Sequence, residues 1–249
     1  MTTDRMMPRH AMIAIAAALV LSLASQAHAD EATLAAGAGF RKPIVELAAA
    51  YKAASGHEIL QIYGHLGQVI AQARESGKIS LVCGDRAVLE HAKGVDFKSM
   101  ARLGLGKLVV AYRKGVKLDK AEDVTRADIK RIGIPDQANA IYGKAGRQFL
   151  DRAKLSAAID PKLIPVATVP QVTSYVVSGE VDAGFVNATD AIGAGDNIGG
   201  FVEVDAALYE PVEVVCGVRG GDTASAATTG FVAFLATDQA RRIIARYGL

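Results

Sequence analysis

Tryptophan is absent from this 249-residue chain, cysteine occurs twice and aromatic residues make up 6%. Two cysteines cannot frame a disulfide-rich scaffold, so the fold must rest on an apolar core. Neither sign of charge is in excess: 28 Lys and Arg face 26 Asp and Glu, a formal net charge of +2. With no basic block and no aromatic RNA-binding motif, nucleic acid is excluded as a partner. Long hydrophobic runs are missing too. The longest, Ala11 to Leu23, falls short of the roughly 20 residues that span a membrane. Motifs that carry chemistry are equally scarce. Neither HExxH nor CxxC nor a GxSxG elbow occurs. Gly37-Ala38-Gly39-Phe40 lacks the third glycine of a dinucleotide fingerprint, and Leu108 stands where Gly104-Leu105-Gly106-Lys107 would need Ser or Thr to be a phosphate loop. Nucleotide, zinc and serine-hydrolase chemistry are therefore not expected, and no cofactor or metal is assigned.

What the chain does have is 51% apolar residues and 25 dispersed glycines. Arg5 and Arg9 precede the run to Leu23, and Ala27-His28-Ala29 follows it. That order describes a secretory signal peptide over 1–29, which implies an exported protein without a membrane anchor. Beyond it, short β-rich runs alternate with amphipathic segments, the pattern of an α/β protein with parallel pairing. Strands are predicted at Ala32–Ala36, Glu58–Tyr63, Ile79–Cys83, Lys107–Arg113, Arg131–Ile134, Leu163–Ala167, Ala183–Val186 and Val212–Val218. Helices are predicted at Pro43–Ala54, Gln68–Ser76, around Val88–His91, Lys144–Lys154, Pro170–Val177 and Asp238–Tyr247. Ile44, Leu47, Ala48 and Tyr51 show the helical spacing most plainly.

The polar stretch Lys114–Asp128 separates two groups of such units. This suggests two lobes, 30–112 with a return segment 212–249 and 113–211, the chain crossing between them twice. In open α/β sheets ligands bind beyond the strand ends, where helix N-termini offer free N–H groups and partial positive charge. Four glycine-bearing or capped turns qualify: Gly37–Lys42, Gly64–Gly67, Ala138–Lys144 and Thr168–Val172. Facing lobes would gather all four around one cleft. Cys83 and Cys216, both in apolar runs, read either as a disulfide or as two buried small residues.

Several segments resemble one family. Val45–Gly56, Tyr63-Gly64-His65-Leu66-Gly67, Ser178–Asp190 with its Gly-Glu-Val-Asp-Ala-Gly-Phe-Val core, and Arg246-Tyr247-Gly248 are similar to the periplasmic molybdate-binding proteins of ABC importers, in the same order from about residue 33 to 249. The resemblance implies a type II-like two-lobe binding protein, each lobe a mixed, mostly parallel sheet flanked by helices. It also implies a hinge near Lys107–Arg113 and Val212–Val218, a monomer, a small oxyanion ligand and a membrane permease as partner, without enzymatic activity. Where the family carries serines, this chain has Gly39 and Gly64-His65-Leu66-Gly67, and Asn187 stands where a tyrosine is usual. Selectivity should therefore differ.

The residues assigned to the ligand follow from those positions. Gly39 and Phe40 would supply backbone N–H groups and a wall, Arg41 would tune the field, His65 would donate from its ring and Leu66 would narrow the pocket. Ala140, Ile141 and Val169 would offer backbone donors from the second lobe, and Asn187 a side-chain donor. Cys83 ends a strand that faces the same cleft. With His65 it suggests a second reading, a nitrogen/sulfur site for a metal, metalloid or small organic acid. A third reading makes Cys83 a nucleophile with His65 as its base.

Overall fold

The computed structural model describes residues 30–220 and 225–249; the signal peptide expected at 1–29 lies outside them. Two five-stranded sheets organise the chain. The first runs β2 (Glu58–Gly64), β1 (Glu31–Gly37), β3 (Ile79–Asp85), β10 (Val212–Arg219), β4 (Phe97–Gly106). The second runs β7 (Leu163–Val166), β6 (Ile132–Pro135), β8 (Ala183–Asn187), β5 (Leu108–Tyr112), β9 (Gly200–Glu203). Each is parallel on one side and antiparallel on the other. β1 runs with β2 and β3, whereas β10 opposes β3 and β4. β6 runs with β7 and β8, whereas β5 opposes β8 and β9. The parallel half reflects βα crossovers, and the strands at the middle are continuous apolar runs because helices cover both faces.

Local sequence explains the helices that matter for the site. α1 (Arg41–Ser55) carries Pro43 near its start and ends at Gly56, whose φ of 78° is the left-handed cap that glycine adopts without strain. Its buried stripe is Ile44, Leu47, Ala48 and Tyr51. α2 (Leu66–Glu75), α3 (Arg86–Glu90), α4 (Ile141–Arg152), α5 (Ser156–Ile159), α6 (Val169–Ser178) and α7 (Ala188–Ala194) follow their strands, and α8 (Ala226–Leu235) and α9 (Asp238–Arg246) close the first lobe.

Three differences from the sequence reading have physical reasons. β4 is a strand that polar residues disguise: Lys98, Ser99 and Arg102 punctuate it because it is an edge strand with one solvated side. α8 is hidden by Thr228, Thr229 and Gly230, poor helix formers that packing overrides. And β5, grouped with the first lobe by sequence, is hydrogen-bonded inside the second sheet. The outward crossing therefore falls at Gly106–Lys107. The return crossing, Tyr209–Pro211, runs beside it, since Val212 pairs with Gly106 and the Tyr209 hydroxyl accepts from the Leu108 N–H at 3.2 Å.

Candidate functional site

The four turns singled out by sequence meet. One small cavity of about 20 Å³ is lined by Gly37–Phe40 and Gly64–Leu66 of the first lobe and by Ala140–Tyr142 and Thr168–Val169 of the second. Each lining segment is the entry to a helix. A short 3-10 turn, Ala38–Phe40, leads into α1, and α2, α4 and α6 begin at His65, Ala140 and Thr168. The first N–H groups of each helix have no intrahelical acceptor. None of the four helices carries an acidic residue in its first turn, whereas α7 and α9 place Asp190 and Asp238 there. Four helix ends without an acid in their first turns thus meet at one point.

Side chains around the cavity are mostly apolar. Phe40 is buried, lies against Gly37 and meets Tyr142 of the facing lobe edge-on, ring centroids 6.1 Å apart. Among the described residues lining the cavity, His65 and Tyr142 are the titratable ones. His65 caps α2: its Nδ1 accepts the Gln68 N–H at 3.1 Å. The neutral ring therefore keeps its proton on Nε2, free to be donated. Across the cleft Asp136 accepts from the Asn139 amide and the Ala138 and Asn139 N–H groups. These bonds, led by the Asn139 side chain, hold its carboxyl below the usual range. Thr168 brings a hydroxyl to the rim, paired within a capping box to Gln171.

Of the residues predicted from sequence, Gly39, Phe40, His65, Leu66, Ala140, Ile141 and Val169 line the cavity. The Leu66 side chain packs down onto Gly84, leaving only its backbone end toward the site. The other three do not serve as expected. Arg41 is exposed and its guanidinium stacks over the Tyr63 ring at 5.2 Å, because the first turn of α1 aims it outward. Cys83 is bonded to Cys216 and is fully buried. It is neither a thiolate ligand nor a nucleophile, which removes the nitrogen/sulfur site and the thiol enzyme together. Asn187 is fully buried behind the cavity wall. Its Nδ2 donates to the Gly39 carbonyl at 2.9 Å, and its Oδ1 accepts the Asp190 N–H at 3.3 Å.

Asn187 thus ties one lobe to the other, and sequence reasoning missed its companions. Lys42 reaches from α1 to the carbonyl of Asp190 at 3.3 Å and to its carboxylate at 3.8 Å. Asp190 also accepts from the Thr173 hydroxyl. Burial pushes the Asp190 carboxyl up, with Thr173 and Lys42 pulling the other way. The Gly67 N–H adds a tie to the Asn139 carbonyl at 3.4 Å. Tyr142 was missed as well; its one signal was an aromatic ring inside the turn Ala138–Lys144, which the structure shows to be the start of α4.

Such a site can hold a small anion by desolvated amide donors, with apolar walls that strengthen each hydrogen bond. Among the described residues no cluster of three or more metal-ligating side chains occurs. Residues 32–249 match the family described as bacterial extracellular solute-binding proteins. Molybdate-binding protein ModA of Rhodobacter capsulatus is 27% identical over 243 residues, 94% of each chain. A putative ABC transporter substrate-binding lipoprotein of Bacillus subtilis is 28% identical over a shorter stretch, 47% of this chain and 44% of that one. The solved periplasmic molybdate-binding protein of Azotobacter vinelandii superposes with a TM-score of 0.79 at 25% identity, covering 87% of this chain and 97% of that one. This chain belongs to the bacterial extracellular solute-binding protein family, and within it resembles the molybdate-binding proteins.

Proposed function

We propose that this protein is the periplasmic receptor of an ABC importer and that it captures a compact inorganic oxyanion for delivery to the membrane permease. The observation that carries the reading is the convergence of four acid-free helix entries on one small cavity. Kinship with a molybdate-binding protein and with an ABC substrate-binding lipoprotein supports the transport role.

Selectivity should rest on amide geometry. No serine hydroxyl stands at Gly39, His65 or Leu66, and neither cation of the α1 first turn faces the cavity. The donors left are backbone N–H groups and the Nε2 proton of His65. Calorimetric titration with molybdate, tungstate, sulfate and phosphate tests the proposal; absence of binding to all four at micromolar concentration overturns it. His65→Asn refines the test, because asparagine also caps helices. It should leave the melting temperature near that of the wild type and weaken binding of the preferred anion about tenfold, the loss of one charge-assisted hydrogen bond. Unchanged affinity would make His65 a cap alone.

A further inference from the structure

Tyr142 brings to the cleft a polar atom without a partner. The residue is 2% exposed, and its hydroxyl makes no hydrogen bond. The neighbouring Asn187 amide spends one N–H on the Gly39 carbonyl and accepts the Asp190 N–H; its second N–H is close but makes no hydrogen bond to the hydroxyl. The hydroxyl lies over the outward crossing, where a methyl group added to Gly106 would sit 2.0 Å from it. Much of what hides it belongs to the other lobe: the Phe40 ring, edge-on to the tyrosine, and Gly106 at the end of β4. Among the described residues only the crossings at Gly106–Lys107 and Tyr209–Pro211 join the two sheets, so parting the lobes there returns the hydroxyl to water.

We propose that Tyr142 sets the affinity of the cleft by opposing closure of the empty protein: its hydroxyl gives up water when the lobes meet and receives nothing in exchange. Three ties pull the other way, Asn187 on Gly39, Lys42 on Asp190 and Gly67 on Asn139. Left unopposed, they would shut an empty cleft and exclude the ligand. A buried, unpaired hydroxyl is a penalty of the right sign and size to balance them. Ligand contacts made in both lobes then tip the equilibrium, and observed affinity is intrinsic affinity reduced by the effort of closing. Gly106 completes the device, because any side chain there would strike the hydroxyl and bar closure.

The nature of the ligand rests on the function proposed above, but the closure itself can be read without ligand. Small-angle scattering of the ligand-free full-length protein should show an open wild type and a more compact Tyr142→Phe variant. The closed-to-open ratio of that variant should rise by about five- to a hundredfold. Gly106→Ala should remain open even with saturating tungstate. With tungstate as probe, Tyr142→Phe should bind more tightly than wild type, mainly through slower dissociation. A compact ligand-free wild type, or identical scattering from wild type and Tyr142→Phe, overturns the proposal. Compaction of the ligand-free variant with no tungstate binding by any form upholds the role of Tyr142 and counts against the oxyanion reading instead.

Discussion

Gly39 and Asn187 show how one position constrains another across the cleft. A Cβ on residue 39 would lie 3.0 Å from the Asn187 Oδ1 and 3.2 Å from its Nδ2. A side chain at 39 would therefore crowd the amide, which would have to move by a few tenths of an ångström and strain its bond to the carbonyl behind. Gly39→Ser alone should push the lobes apart and weaken oxyanion binding by tenfold or more. Adding Asn187→Ala should recover part of that loss, a non-additivity expected of residues in contact. Calorimetry on the two single variants and the double variant checks it; additive losses would refute the coupling. His65 and Cys83 carry a related lesson. Sequence singled out both, but residue type alone does not say whether a ring caps a helix or a thiol is already bonded. Lys42 and Asp190 were invisible as a pair because their contact joins residues 148 positions apart.

At the scale of elements, each sheet has its own fastening. In the first, the disulfide joins Cys83 on β3 to its register partner Cys216 on β10, closing a separation of 133 residues. Replacing both by alanine should cost about 2–5 kcal/mol of stability, read from urea unfolding, since a long loop regains its freedom in the unfolded chain. Anion affinity should survive, because both sulfurs are buried away from the cavity.

In the second sheet the fastening is ionic. The Asp182 carboxylate, just before β8, accepts the N–H groups of Lys130 and Arg131 at 2.9 and 3.0 Å and the Arg113 guanidinium at 3.0 Å. Burial pushes its carboxyl up, yet these donors together outweigh burial and leave it below the usual range. A lowered carboxyl contributes stability above its unfolded value, and that contribution fades as pH falls through the folded one. Asp182→Asn should therefore destabilise the protein by roughly 2–3 kcal/mol at pH 7. The gap to wild type should narrow in thermal melts below about pH 4. A gap independent of pH would sink this account.

Elements were also where the sequence was most readable. The parallel strands β1, β3 and β8 and the stripe of α1 announced themselves through continuous burial or helical spacing. β4 and α8 did not, since an edge strand needs few apolar residues and a packed helix tolerates threonine and glycine.

For the whole molecule, near-zero net charge and four helix entries describe the same strategy. Backbone dipoles attract an anion locally while the surface stays neutral. The four entries were legible because glycine and capping residues mark the ends of strands. That they share one cavity depended on how two sheets face each other, which no local pattern records. The expected hinge was placed close to the true crossings but within flanking strands, because β4 was unseen and β5 took its place in the count.

The same double crossing governs the order in which the molecule can be completed. Every strand of the second sheet lies between Leu108 and Glu203, so a chain emerging from its N-terminus holds all of that sheet before β10 arrives. The first sheet must wait, with β3 and β4 lacking the strand that belongs between them. Cys83 meanwhile stays single until the chain 133 positions further on joins the sheet. During that interval the half-built sheet offers an open slot bordered by an unpaired thiol. β10 both fills the slot and brings Cys216 to the thiol, so the segment from Val212 onward completes the first sheet and its disulfide together.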